Sequence, residues 1–170
     1  MSNTEELTIM MAGSAACRAA LDLLSKEHDE LKARYSARYL ENAGEKLKNG
    51  ILSNTALEQL IEVLSPKSFV LCGKKGVFSA LYELGETVGC GFKVQLYSIP
   101  IEQPAIELCD LKDINPYESD STGSVVFAVE NPGAAAQTAE KLGIKLHLLG
   151  YSTKQKAKIV VSETERYLTK

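Results

Sequence analysis

The stretch Gly76-Val77-Phe78-Ser79-Ala80-Leu81-Tyr82-Glu83-Leu84-Gly85-Glu86-Thr87-Val88, continued by Gly89-Cys90-Gly91-Phe92-Lys93-Val94-Gln95-Leu96, decides the fold class. Val77, Leu81, Leu84 and Val88 recur at helical spacing, and Gly89-Cys90-Gly91 ends that period. Phe92 to Leu96 then alternates as a half-buried strand does. Upstream, Ser68-Phe69-Val70-Leu71-Cys72 is an apolar run of strand length that Gly73-Lys74-Lys75-Gly76 turns into the helix. The pattern recurs further on. Ser124 to Val129 is a strongly apolar strand, Asn131-Pro132 supplies a cap and first turn, a helix runs to Leu142, and Gly143 leads into the alternation of Ile144 to Leu148. Two strand-helix-strand units in one chain predict an α+β fold with a mixed sheet covered by helices.

The flanks fit that core. A strand over 7–12, broken by Gly13, precedes an alanine-rich helix over 14–25 and a polar helical stretch over 27–35, where Glu30 and Arg34 have the spacing of a helical ion pair. The next helix, 38–48, closes at Asn49-Gly50, a pair suited to left-handed backbone. Thr55-Ala56-Leu57-Glu58 reads as a capping box opening a helix whose buried stripe is Leu57, Leu60, Ile61 and Leu64, stopped by Pro66. Ile99-Pro100-Ile101 is extended, Gln103-Pro104 opens a short helix, and a strand over 158–161 is followed by a polar tail. We expect one domain over 1–170, with a helical lead-in over 1–66 and a sheet-and-helix core over 67–162.

Composition narrows the function. The 170 residues are 45% hydrophobic and 24% charged, with no apolar run near the roughly 20 residues of a membrane helix. A net charge of -3 with both signs interspersed gives no basic field for a phosphate backbone, and the absence of Trp weakens any base-stacking platform, so nucleic acid is not an expected partner. The start, Met1 to Glu6, is polar and acidic, without the apolar stretch of a secretory signal, and implies a cytoplasmic protein. Cys17, Cys72, Cys90 and Cys109 lie far apart, without the paired spacings of a zinc site, and read as buried or half-buried free thiols.

Two loops are candidate ligand sites. Gly73, Lys74, Lys75 and Gly76 lie at a helix N-terminus, where backbone N–H groups, the helix dipole and two lysines suit a phosphate; the same residues also suit a solvent-exposed turn. Ser121, Thr122, Gly123 and Ser124 lie at a loop-strand junction, where hydroxyls either line a cleft or bond their own backbone. Cys72 is a buried strand cysteine or a thiol activated by the neighbouring lysines. His28 and His147 read as surface residues, as do Glu83 and Glu86, and no catalytic or metal-binding constellation emerges. The alanine faces at 15–20 and 134–139 allow close helix approach, to the core or to a partner.

These blocks resemble the C-terminal domain of the aminoimidazole ribonucleotide (AIR) synthase-related superfamily. Gly76 to Glu86 and Gly89 to Val94 are similar to its G-x-F-x-A-L-W-E-x-A-E helix and G-V-G-L-E-V strand. Ile99-Pro100-Ile101, Ile114-Asn115-Pro116-Tyr117 and Ser121-Thr122-Gly123-Ser124 resemble its I-P-I, I-N-P-Y and S-S-G-S segments. The matching blocks cover about Phe69 to Gly150, and the subgroup most resembled holds the hydrogenase-maturation carbamoyl dehydratases. The resemblance implies an AIR synthase C-terminal-like fold with ferredoxin-like strand-helix-strand units. In its full-length relatives, an N-terminal half forms the dimer and holds most ATP and magnesium contacts. Where the family loop reads H-D-x-T-x-G-G, this chain has Val70, Leu71, Cys72, Gly73, Lys74, Lys75 and Gly76, so the acid and hydroxyl are replaced. The hydrogenase-maturation enzymes of the family end in a cysteine that accepts the carbamoyl group, where this sequence has Leu168-Thr169-Lys170.

Two functions follow as expectations. One is a non-catalytic stand-alone domain acting as a binding or protein-interaction module, with no cofactor. The other is half of a split ATP-dependent enzyme, taking ATP and magnesium only when a separate N-terminal-type partner completes it; a small-molecule or phosphate sensor is a weaker variant. The expected partner is a second copy, giving a homo-oligomer such as a dimer, or that N-terminal half.

Overall fold

The computed structural model describes residues 6–170, so the acidic start over 1–5 lies outside the described residues. Its strands are β1 (Thr8–Ala12), β2 (Ser68–Leu71), β3 (Gly91–Gln95), β4 (Val125–Val129), β5 (Leu146–Thr153), β6 (Lys158–Val161) and β7 (Glu165–Tyr167). Its helices are α1 (Cys17–Lys26), α2 (His28–Arg34), α3 (Ala37–Asn49), α4 (Asn54–Leu64), α5 (Gly76–Val88), α6 (Gln103–Leu111) and α7 (Pro132–Lys141). All strands join one seven-stranded mixed sheet in the order β2-β4-β1-β5-β3-β6-β7.

Both expected strand-helix-strand units form, and they interleave. β2-α5-β3 and β4-α7-β5 place β2 beside β4 and β5 beside β3, while β1 pairs antiparallel with both β4 and β5. β1 is therefore buried along its whole length, and the helical lead-in also supplies an interior strand. Burial on two faces explains why residues 7–12 read as a continuous apolar run rather than an alternating one.

Three apolar clusters hold the sheet. On one face Val77, Phe78, Leu81 and Leu84 of α5 pack on Ile9, Met11, Val126 and Ala128. On the other, Leu57 and Leu60 of α4 and Ala135 and Ala139 of α7 pack on Met10, Ala12, Val125 and Phe127. The third joins Ala16, Cys17 and Ala20 of the α1 region to Leu47, Ala105 and Leu108. The inward alanines of both alanine-rich helices thus serve the core. Among the described residues no helix is long and apolar enough to cross a membrane.

Several local expectations are corrected. The first helix starts at Cys17 rather than at 14, because Ala16 is left-handed (φ 60) and the amides of Ala15 and Ala16 donate to Pro100 O and Ser121 Oγ. Gly50 is not left-handed (φ -82); a Cβ there would lie 2.5 Å from Cys17 Sγ, so the glycine answers a tertiary contact. α4 is capped by Ser53, whose hydroxyl accepts from the Ala56 N–H, so Thr55 and Glu58 form no capping box. Glu30 forms its ion pair with Lys112 of the loop after α6, at 2.6 Å, rather than with Arg34. The tail expected after Val161 turns back as β7, with Leu168 packed into the α5 cluster and its N–H donating to Lys158 O at 2.7 Å.

Candidate functional site

The Gly73–Gly76 loop carries the chain from β2 into α5. Gly76 has φ 84, and its N–H donates to Gly73 O at 3.0 Å, closing a tight turn. A Cβ on Gly76 would stand 2.6 Å from Tyr117 O and 2.7 Å from Ser119 N, so glycine is required both for the left-handed backbone and for the approach of a second segment. That segment is the Ile114-Asn115-Pro116-Tyr117 stretch. Asn115 caps a 3-10 turn at Pro116–Glu118 by accepting from the Tyr117 N–H at 2.9 Å, and the Tyr117 ring stacks on Phe78 with centroids 5.3 Å apart.

The two predicted loops meet through their backbones. Ser121 N–H donates to Gly73 O, and Cys72 N–H donates to Ser124 O, each at 3.0 Å. The hydroxyls of the second loop serve the loop itself. Ser121 Oγ accepts from the buried Ala16 N–H at 2.8 Å and donates to Ser119 O at 2.9 Å, and Ser124 Oγ donates to Ser121 O at 2.7 Å. Thr122, exposed, directs both its N–H and its hydroxyl to Asp120 Oδ1. Gly123 (φ 100) lies against Ile51, where a Cβ would come within 2.3 Å of Cγ2. Ser121 to Ser124 is thereby a structural junction behind the first loop.

Lys74 and Lys75 open instead onto a cleft of about 730 Å³ between α5 and β7, whose lining includes Ser79, Tyr82, Glu86 and Arg166. Its charges are unevenly matched. Arg166 lies 2.8 Å from Glu118 and 5.0 Å from the Phe78 ring centroid. Lys158, almost wholly buried, lies 2.8 Å from Glu86 and 4.7 Å from the Tyr82 ring centroid, in space left by the missing side chain of Gly85. The hydrogen bond and charge of Lys158 hold the Glu86 carboxyl below the usual range. Among the described residues Lys74 and Lys75, both exposed, form no ion pair.

The cysteines are free and three are buried, with Cys90 half-buried. Cys72, just after β2, is buried, and burial pushes its thiol up to about 11 against a smaller opposing effect of its hydrogen bond to Ser124. Cys109 rises to about 11 for the same reason. His28 is exposed on α2. His147 is half-buried on β5, with its pKa lowered by burial and then by Lys145. Among the described residues no cluster of His, Cys, Asp and Glu could hold a metal ion.

Sequence reasoning singled out the loop as a candidate and not the other residues that line the cleft. Tyr82 and Glu86 fall four apart on α5 and so share a face, which is a usable signal. Arg166 had none, because a single charge in a polar tail does not announce the strand that carries it.

No protein-family model matches the chain. The fold is that of the AIR synthase-related proteins. Among solved structures, HypE of E. coli, a hydrogenase maturation protein, superposes with a TM-score of 0.74 at 18% identity over 99% of this chain and 51% of that one. Thiamine-monophosphate kinase from Stenotrophomonas maltophilia K279a does so at 0.66 and 16% identity, over 91% and 49%. In sequence the chain is similar to carbamoyl dehydratase HypE of Rhodobacter capsulatus, 34% identical over 65 residues, which are 38% of this chain and 19% of that protein. The chain spans about half the length of these two solved structures.

Proposed function

We propose that this chain is a non-catalytic AIR synthase-type domain that binds an anionic, phosphate-bearing ligand at the mouth of the α5–β7 cleft and acts as a binding module. The observation that carries this reading is the pair Lys74 and Lys75, exposed and without ion-pair partners beside that cleft. They occupy the loop in which the resembled family has acid and hydroxyl. The hydroxyls of Ser121, Thr122 and Ser124 donate within their own segment.

The test is a thermal-shift titration with pyrophosphate and with ATP, each with and without magnesium. A ligand at 100 times its Kd stabilises the folded state by about 2.7 kcal/mol, well within detection. The Lys74→Ala/Lys75→Ala double variant is expected to lose the shift. An unchanged shift in that variant would move the anion elsewhere, and no shift in the parent protein would remove the reading.

The half-length match favours a second reading, in which the chain is one half of a split ATP-dependent enzyme and a separate N-terminal half supplies most ATP and magnesium contacts. Mixing this chain with such a half and following ATP hydrolysis tests it. No complex and no hydrolysis above that of the separate halves would dispose of it.

A further inference from the structure

We propose that Arg166 is the third cation of the anion site and Glu118 its internal competitor, so that the cleft selects a ligand carrying two linked anionic groups over a single phosphate. This rests on the anion-binding reading of Lys74 and Lys75 and names the ligand class that site takes. Arg166 lines the same cleft as the two lysines, on the wall that β7 supplies. Its guanidinium donates through Nη2 to Glu118 Oε1 at 2.8 Å and lies over the Phe78 ring, 5.0 Å from the centroid.

The backbone brings these groups to one corner. Glu118 ends the 3-10 turn Pro116–Glu118, which seats on the lysine-bearing loop so closely that a Cβ on Gly76 would stand 2.7 Å from Glu118 C. Phe78 follows Lys75 by three residues in the first turn of α5, and its ring stacks on Tyr117 at an interplanar angle of 14°. Arg166, over that ring, therefore lies about one helical turn, ~5.4 Å of rise, along α5 from the lysines. Of two linked anionic groups, one can meet Lys74 and Lys75 while the other meets Arg166.

Glu118 holds the place of the second group. Its side chain and that of Arg166 are 50% and 54% exposed, and an ion pair so exposed shifts an equilibrium by no more than about fivefold. A phosphate accepts two parallel bonds from the planar guanidinium fork, which makes it the stronger partner. The Phe78 ring keeps the guanidinium in place by cation–π attraction when the carboxylate leaves. The other carboxylates of the cleft do not compete in this way. Glu86 is bonded to Lys158 at 2.8 Å, and Glu83 stands eight residues beyond Lys75, about 12 Å of helix rise away.

The test is calorimetric titration with pyrophosphate and with orthophosphate at fixed ionic strength, on variants confirmed folded by circular dichroism. Arg166→Gln should weaken pyrophosphate about tenfold or more, the worth of hydrogen bonds to a charged group, and orthophosphate less than about twofold. Glu118→Gln keeps an oxygen for the guanidinium and removes the competing charge, so it should tighten pyrophosphate about two- to fivefold. Glu140→Gln, exposed on α7 across the sheet, makes the same change in net charge and should leave the affinity as it was. If the Arg166–Glu118 pair only ties β7 to the turn, Arg166→Gln and Glu118→Gln weaken binding alike, and the proposal is overturned. Equal losses for pyrophosphate and orthophosphate in Arg166→Gln overturn it too. Pyrophosphate binding that Lys74→Ala/Lys75→Ala abolishes, and that neither Arg166→Gln nor Glu118→Gln alters, overturns this proposal and leaves the anion-binding reading standing. No binding of either anion by the parent protein removes both.

Discussion

Replacing Gly76 with alanine tests whether the framework around the cleft rests on this one backbone position. Alanine would have to adopt φ 84, in the left-handed region, at a cost of about 1–2 kcal/mol. Its Cβ would also stand 2.6 to 2.7 Å from Tyr117 O, Glu118 C and Ser119 N. These are backbone atoms, so no side-chain rotation relieves the contact, and overpacking of this kind costs about 1–3 kcal/mol. The sum, about 2–5 kcal/mol, corresponds to a fall in Tm of roughly 4–20 °C at about 2–4 °C per kcal/mol for a chain of this size. Gly73→Ala is the control, because an added Cβ there meets no heavy atom within 4 Å. It should stay within about 0.5 kcal/mol of the parent. Urea denaturation of both variants, at constant m-value, gives the comparison. A Gly76→Ala protein as stable as the parent, or a Gly73→Ala protein equally destabilised, would refute the argument that Tyr117 to Ser119 seat directly on this glycine.

Two further outcomes are expected. Ser121→Ala removes the acceptor of the buried Ala16 N–H, and leaving such a group unsatisfied costs about 1–3 kcal/mol, readable as a lowered urea midpoint. His147 is held below its ordinary pKa of about 6.5 by burial and by Lys145, so the unfolded chain binds the proton more readily than the folded one. Its contribution to stability is complete above about pH 6.5 and declines as the pH falls through the lowered folded value. Comparing the urea midpoints of the parent and His147→Gln between about pH 7.5 and 5.5 should show a shallower fall in the variant.

What the sequence revealed, and what it did not, follows the range of the forces involved. The stripe of α5 was legible because Val77, Leu81 and Leu84 report on one face of one helix, and all three are buried. β3 was legible by alternation, with Phe92 and Val94 inward and Lys93 outward. The cap of α4 was misplaced by two residues because Ser53 and Thr55 both offer a hydroxyl, and the choice depends on where the preceding loop is tied: Leu52 N–H donates to Gly123 O. Gly50 suggested a left-handed turn from its Asn-Gly context, yet it is there to admit Cys17 Sγ from another helix. β7 escaped notice because it is exposed at every residue, held by pairing with β6 and by Arg166 reaching Phe78 and Glu118. Half of the candidate site was therefore visible as the Gly73–Gly76 loop. The wall facing it depends on contacts 48 residues or more apart in the chain, such as Arg166 to Glu118, which no local pattern encodes.

The charged groups of the cleft are set by their neighbours. General acid catalysis near neutral pH needs a carboxyl with a raised pKa, or another group titrating in that range, within reach of the ligand. Glu86 has the opposite shift, because Lys158 stabilises its ionised form, and Glu118 is engaged by Arg166. The thiol nearest the loop, Cys72, is buried, and burial pushes it up to about 11. The framework positions Gly76, Asn115 and Ser121 are kept by packing and backbone bonding, which do not depend on what Lys74 and Lys75 contact. Side chains at the tip of a loop can change sign without disturbing the turn beneath them. The turn through Gly76 and its seat on Tyr117 therefore set the fold whatever side chains stand at positions 74 and 75.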